Sequence, residues 1–175
     1  SLFTDKAFQY LDKNELHLLG NTKMIDKGDT LTCENMIFWT DIDSINAQGN
    51  VRFTQKDRNL TSSIINYWKG SGYRGSSFTA KGSVEILEGD RQVKAEIIKY
   101  VDVSQQMILE KNALVAGGNQ SLLGNNMVIQ YSDSLLNRIS IQNNASATNL
   151  VEAKLDSNGI FQKFRDEMNS SNMNA

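Results

Sequence analysis

The sequence contains no proline, one cysteine and one histidine. Because proline cannot donate to a β-ladder, its absence favours long hydrogen-bonded strands whose turns use Gly, Asn, Asp and Ser. Cys33 cannot form a disulfide within the chain, and its position between Thr32 and Glu34 indicates a small packed residue rather than a reactive thiol. A zinc site normally takes three or four Cys, His or carboxylate ligands, so His17 and Cys33 cannot supply one by themselves.

Long apolar runs and an excess of positive charge are also missing. No apolar run reaches the ~18 residues that a membrane-spanning helix needs, so no transmembrane segment is predicted. No basic-then-apolar signal segment stands at Ser1, so an exported chain would have lost its signal already. The formal net charge is −2 and the lysines and arginines are scattered, which argues against nucleic acid as a partner.

Catalytic patterns are equally sparse. No serine lies in a nucleophile elbow, and no glycine-rich phosphate loop occurs. Paired carboxylates are the remaining option, because two of them can hydrolyse a glycoside. However, Asp41, Asp43 and Asp90 fall in expected turns, and Glu85 and Glu96 at outward strand positions. We therefore predict no catalytic residue, no metal ligand and no cofactor.

What the sequence does contain is a repeat. The stretch from Gly49 to Tyr67, GNVRFTQKDRNLTSSIINY, combines a Gly-Asn opening, an alternating segment, a polar turn, a second segment and a closing aromatic. Related stretches begin at Gly20, Gly82 and Lys111, a spacing of about 30 residues. A regular spacing of this size indicates stacked units, each of which buries its apolar face against its neighbours.

Both termini fall inside a unit. Residues 2–10 align with the second half at 31–39, and Asn144 opens a further unit. We therefore expect residues 1–175 to form one repeat domain that is itself a segment of a longer array.

Alternating apolar and polar residues predict strands throughout. The predicted strands are 1–10, 15–25, 30–39, 45–54, 60–68, 77–87, 92–101, 106–116, 121–131, 136–146 and 149–155, with a turn at Asp156–Gly159. The stretch Phe161–Met168 also fits a helix, but its alignment with the repeat favours a strand. Because the connections are short, consecutive strands must run antiparallel or switch sheet at a corner.

The predicted fold is therefore all-β: an elongated antiparallel β-jelly roll, or open-ended stack, of about 30 residues per unit. A right-handed parallel β-helix is the rival architecture. The closing aromatics Tyr10, Trp39, Tyr67, Tyr100 and Tyr131 recur once per unit and are interpreted mainly as a core ladder.

The inward apolar positions offer a second interpretation. If the two sheets splay along one edge, their apolar residues form a trough that accommodates acyl chains. The candidate lining residues are Val51, Phe53, Leu60, Ile64, Val84, Ile86, Ile97, Val115, Met127, Ile129, Ile139 and Ile141.

The repeats resemble those of the OstA/LptA family of periplasmic lipopolysaccharide-transport proteins, particularly the OstA-like proteins of Bacteroidetes. The resemblance is carried by the A-x-G-N-V opening at Ala47–Val51, its variant at Ala80–Val84, and L-T-C-E at Leu31–Glu34. It covers nearly the whole chain, but Lys111 replaces the opening glycine in the fourth unit.

This resemblance implies a non-enzymatic periplasmic module that binds the lipid A part of lipopolysaccharide. It also implies head-to-tail stacking, on copies of itself or on related jelly-roll transport proteins, to bridge the inner and outer membranes. Two alternatives stay open: a structural β-solenoid spacer or adhesin with a filled core, and a polysaccharide-active β-helix enzyme.

Overall fold

The computed structural model describes residues 1–70, 75–132, 135–155 and 161–170. Every regular element in these ranges is a β-strand, and no helix there is long and apolar enough to cross a membrane. The strands are β1 (Leu2–Phe3), β2 (Lys6–Tyr10), β3 (Glu15–Asp26), β4 (Asp29–Trp39), β5 (Ser44–Gln55), β6 (Arg58–Trp68), β7 (Ser77–Glu88), β8 (Arg91–Val101), β9 (Gln106–Gly117), β10 (Gln120–Ser132), β11 (Leu135–Gln142), β12 (Ala145–Leu155) and β13 (Phe161–Ser170).

All thirteen strands belong to one sheet, in which β3 to β10 follow each other in chain order. Every recorded pairing is antiparallel. The prediction of an all-β antiparallel fold is therefore confirmed, and the parallel β-helix is wrong. The short turns explain the outcome, since a parallel return needs a longer crossover than this chain provides.

Two predicted strands are broken. The N-terminal strand divides into β1 and β2, and the predicted strands 136–146 and 149–155 become β11 and β12, with the break at Asn143 and Asn144. Both asparagines have positive φ, as do the paired residues at the same point of the other units. Phe161–Ser170 is a strand, as the repeat alignment predicts, whereas the Asp156–Gly159 turn lies outside the described residues.

The Gly-Asn openings lie inside strands and form β-bulges. In β5, Gln48 pairs with Ile64 and Val51 with Ser62, so Gly49 and Asn50 together oppose a single residue of β6. A strand that carries an extra residue of this kind bends and twists more strongly at that point. Residues with positive φ mark the same point in each unit: Gly20–Asn21, Gly49–Asn50, Gly82–Ser83, Lys111–Asn112 and Asn143–Asn144. We call these pairs the bulge line.

The sheet folds back on itself along the bulge line. In a flat sheet, Arg58 at the start of β6 and Tyr131 near the end of β10 would lie about 40 Å apart, at ~3.3 Å per residue and ~4.8 Å per strand. Burial raises the pKa of Tyr131, whereas the positive charge of Arg58 acts on that pKa in the opposite direction. One face of the sheet also buries Leu18, Ile98 and Leu109 to 1% exposure or less, although the described strands form a single sheet, so the two halves of that sheet must cover each other. We call the two halves of the bent sheet its arms.

Candidate functional site

The face that the two arms enclose is apolar along the whole stack. On one side of the bulge line, the register places one residue from each of the strands β3 to β11 in a continuous row. That row is Leu18, Met36, Ala47, Ile65, Ala80, Ile98, Leu109, Met127 and Ile141, all buried. Across the bulge line lie Thr22, Cys33, Val51, Ser62, Val84, Ala95, Ala113 and Ala145, also buried. These two sets are the apex rows.

Small residues dominate the second apex row, because the two arms converge at the bulge line. Ala113 is completely buried there, and Ala145 is 3% exposed. A larger side chain at this point would push the arms apart. The apex is thus a filled hinge rather than a channel.

Burial decreases from the apex towards the strand ends. The next inner residues on each arm, which we call the lip rows, pack against the core but are mostly only partly buried. They include Leu16, Phe38, Phe78, Tyr100 and Ile139 on one arm and Met24, Phe53, Val93, Val115 and Leu122 on the other. The interior is therefore most accessible along the edge opposite the bulge line, as a trough opening outward would be.

Most predicted lining residues lie on this inner face. Val51, Val84, Met127 and Ile141 belong to the apex rows. Phe53, Leu60, Ile86, Val115, Ile129 and Ile139 belong to the lip rows or the core beside them. Their placement is as expected, and their role in holding a ligand stays a prediction.

Ile64 and Ile97 are exceptions, because they lie on the outer face. The core contains their neighbours Ile65 and Ile98 instead, at 6% and 0% exposure. The cause is the bulge, which shifts the pairing between Thr61 and Ile64 and reverses the alternation of β6 beyond that point.

The two rims of the opening differ in the aliphatic side chains that their turns expose. The strand ends at turns 26–29, 55–58, 88–91 and 117–120 form what we call the polar lip. Arg58 and Glu88 are paired across β6 and β7, with Nη2 and Oε1 2.6 Å apart, and Glu88 is in register with Arg91. Gln55 Nε2 donates to Asp29 Oδ2 at 2.7 Å. Arg58 stands two residues before the inward Leu60 and therefore lies on the same, inner face of β6. Strand alternation in the sequence could have predicted this position.

The opposite rim, at turns 11–14, 40–43 and 102–105, also carries charges, including the ion pair of Lys69 and Asp43, and we call it the apolar lip because of its exposed aliphatic residues. Its turns expose one aliphatic side chain each: Leu11 is 77% exposed, Ile42 51% and Val103 62%. Behind them the inner row continues with Tyr67 opposite Phe78 and Phe78 stacked on Tyr100 at a ring-centroid distance of 5.8 Å. The sequence did not predict that these turns form one rim, because Leu11, Ile42 and Val103 stand at different places within their turns.

The closing aromatics divide between the two faces. Tyr67, Tyr100 and Tyr131 lie on the inner side, near the apolar lip. Tyr10 and Trp39 instead lie on the outer face, in register with Glu15. The core-ladder interpretation is therefore wrong for these two residues. Trp39 follows the inward Phe38, and Glu15, with which both aromatics are in register, precedes the inward Leu16.

Two shallow depressions among the described residues lie mainly on the outer face. One of about 260 Å³ lies at the ends of β4 to β7, and one of about 300 Å³ lies beside the bulge line near Arg52 and Ser83. The first reaches no apex residue, whereas Val51 and Ser62 of the second apex row help to line the other. Inner side chains fill the space between the arms, so acyl chains require that the two lips separate.

Residues considered for catalysis have local partners. His17 Nε2 lies 2.8 Å from Glu15 Oε2, and this hydrogen bond is the main cause of the lowered pKa of Glu15. Lys94 pairs with Glu85, and Lys69 with Asp43. In the described part of the chain no cluster of His, Cys, Asp and Glu could hold a metal ion. Cys33 is buried, in agreement with its interpretation as a packed residue.

No curated protein matches the chain. Among solved structures, the chain is similar to LptH from Pseudomonas aeruginosa, described as the LptA-homologous periplasmic component of the lipopolysaccharide transport device. The identity is 13%, the match covers 80% of this chain and 91% of that one, and the TM-score is 0.48.

A family model gives the assignment. Residues 40–134, more than half of the 175-residue chain, match the model described as LptA/(LptD N-terminal domain) LPS transport protein. This range contains the second, third and fourth pairs of the bulge line, and with them the central part of both lips. The chain belongs to the LptA/LptD N-terminal family of lipopolysaccharide transport proteins.

Proposed function

We propose that this chain is a non-enzymatic periplasmic module that binds the lipid A part of lipopolysaccharide between its arms and passes it along a stack. The observation that carries the proposal is the apolar inner face, whose exposure rises from the bulge line to the lips. Membership of a family of lipopolysaccharide transport proteins supports it.

The difference between the lips suits an amphiphile. Acyl chains gain by leaving water for the inner rows and the apolar lip, at roughly 25 cal/mol per Å² of apolar surface. A charged head group stays hydrated beside Arg58, Glu88 and Arg91 on the polar lip. The lipid would thus lie across the opening, with its chains inward.

Entry of lipid requires movement of the arms. Because the apex is packed with small residues, the arms cannot move apart there without losing contacts. The lip rows are less buried, and separating them costs correspondingly less. We therefore expect opening to begin at the lips and the bulge line to act as its hinge.

Head-to-tail stacking is the second part of the proposal. β1 and β2 form one edge of the sheet and expose Leu2, Phe3 and Phe8. An edge strand with exposed apolar side chains pairs readily with another chain. The partner would be a second copy or a related transport protein, so that apolar troughs continue from one to the next. Phe8→Lys should then weaken self-association in sedimentation velocity, whereas Lys23→Ala on paired β3 should not.

Photocrosslinking tests the lipid site. A photoreactive amino acid replaces Phe53 or Ile86 on the inner face, and Arg52 or Glu85 provides the adjacent outer-face control. Incubation with purified lipopolysaccharide should give a lipid adduct from the inner pair alone. Labelling from the outer pair alone would exclude the interior route.

A second candidate function follows from the packed interior. A filled core also suits a structural spacer, in which the inner face serves stability alone. The same experiment separates the two functions, because a spacer gives no lipid adduct from either face while remaining folded by circular dichroism.

A further inference from the structure

Both tryptophans of the chain lie on the outer face, at the same level of the sheet. Trp39 of β4 pairs with Ser44 of β5, and Ser44 pairs with Trp68 of β6. The two indoles therefore flank one serine, with their backbones two strand spacings, or about 10 Å, apart. Ser44, a small residue between two large ones, is only 7% exposed.

A shallow slot of about 260 Å³ lies at this point. Trp39, Trp68, Ser44 and Ser77 line it from the outermost row, and the amide of Asn66 and the hydroxyl of Thr79 add polar groups one row further in. The inner-face lining extends only to Ile45, Tyr67 and Phe78, which occupy the same strand ends. The slot therefore lies mainly on the outer face, and Phe78 of the lip rows borders both the slot and the trough.

Its chemistry limits the ligand. Every residue that lines the slot is uncharged at neutral pH, so an ionic ligand would have no charged partner in the lining itself. A purely apolar ligand would cover the serine, threonine and asparagine groups without satisfying them. The lining instead combines aromatic faces with hydroxyl and amide groups.

A sugar ring matches this combination. The faces of an indole are electron-rich, and the C–H groups on one face of a pyranose carry partial positive charge and pack against them. The ring hydroxyls then exchange hydrogen bonds with the polar groups at the margin. A hydrogen bond fixes the position of the Trp39 indole, since its Nε1 donates to Glu15 Oε1 at 3.2 Å. The slot volume, near the lower limit for small-molecule sites, suits a mono- or disaccharide.

We propose that the outer-face slot between Trp39 and Trp68 binds a neutral saccharide. The site lies mainly on the face turned away from the lipid trough and shares none of the apex residues. It gives the module a surface that recognises sugar outside the arms.

Tryptophan fluorescence tests the proposal directly, because the chain has no tryptophan elsewhere. The protein is titrated with neutral disaccharides (lactose, maltose, cellobiose and diacetylchitobiose) and with glucuronic acid as an anionic control. We expect a saturable change in emission with at least one neutral sugar and none with glucuronic acid. No saturable change with any neutral sugar would overturn the proposal.

Variants locate the site. Trp68→Ala should lower the affinity for the bound sugar at least tenfold, read from the remaining Trp39, and Trp39→Phe should lower it less. Ile108→Ala, an outer-face change on β9, should leave it unchanged. Circular dichroism and the urea midpoint confirm that each variant is folded. Unchanged affinity in a folded Trp68→Ala protein would contradict the assignment.

Discussion

Asn50 donates a hydrogen bond from Nδ2 to Glu34 Oε1 at 2.5 Å, directly over the bulge of β5. The same arrangement occurs one unit earlier, where Asn21 Nδ2 donates to Asp5 Oδ2 at 2.9 Å. In both units a carboxylate of the preceding strand segment covers the bulge glycine and bonds the residue after it. Glycine and asparagine are the residues that adopt positive φ most readily, which explains the Gly-Asn pair at the fold line.

Substitution of the bulge glycine should be more costly than substitution of a turn glycine. Gly49 has a φ of +77°, and an added Cβ would lie 2.4 Å from Glu34 Oε2. Gly28 has a φ of +96° but open space around it. Gly28→Ala should therefore show the backbone cost alone, about 1–2 kcal/mol, and Gly49→Ala should lose more, as measured by urea unfolding.

A double-mutant cycle isolates the contact with Glu34. In a Glu34→Ala background the part of the extra cost of Gly49→Ala that comes from the carboxylate should disappear, whereas the Cβ of residue 34, 2.8 Å from the added Cβ, should keep the value above that of Gly28→Ala. Equal costs of Gly49→Ala in both backgrounds would show that Glu34 does not restrict the bulge.

The narrow apex predicts a strong size dependence. Ala80 is completely buried and pairs with Ile65 and Ile98 across the neighbouring strands. Ala80→Leu should lower the free energy of unfolding by about 1–3 kcal/mol, because the arms must move apart to admit the side chain. Ala116→Leu adds the same groups on the outer face of β9 and should change stability by less than ~0.5 kcal/mol. Comparable losses in both variants would mean that the arms do not converge at Ala80.

Burial of Cys33 predicts a stability change in alkaline solution. Burial raises the pKa of its thiol to about 11, whereas an unfolded thiol ionises near ~8.5. Between these values the unfolded chain has lost a proton that the folded chain keeps, so deprotonation favours unfolding and stability falls as the pH rises. Below this window the two states bind the same proton and the contribution vanishes.

The measurement compares urea midpoints at pH 8 and pH 10 for the protein and its Cys33→Ala variant. Other groups titrate in both proteins and cancel in the difference. The natural chain should lose more stability between the two pH values than the variant does. Parallel losses would show that the thiol ionises equally in both states.

The repeat spacing and the strands were readable from the sequence because each unit carries the same turn and alternation signals. Gly49, Asn50 and Val51 also mark the irregular point of the unit. Their meaning as a bulge inside a strand was not readable, because a glycine–asparagine pair is equally typical of a turn. The arms and their lips depend on that bend, so neither the polar nor the apolar lip could be predicted.

The lining residues illustrate the same limit at the level of single positions. In β6 the alternation from Leu60 selects Ile64, yet the structure buries Ile65. The bulge that causes the shift belongs to the neighbouring strands, and the sequence of β6 carries no mark of it. Where no bulge intervenes, as at Val84 and Ile86, alternation places both residues correctly.

This shift gives the sharpest test of the fold, because it distinguishes adjacent residues of the same type. Ile65 is 6% exposed within the core, whereas Ile64 lies on the outer face opposite Lys81. Ile65→Asn would bury an amide without a partner and should cost about 2–4 kcal/mol. Ile64→Asn keeps its amide in water and should cost less than ~1 kcal/mol, mostly from lower strand propensity. Urea unfolding of the two variants measures both values, and a larger loss for Ile64→Asn would place the arms on the opposite face of β6.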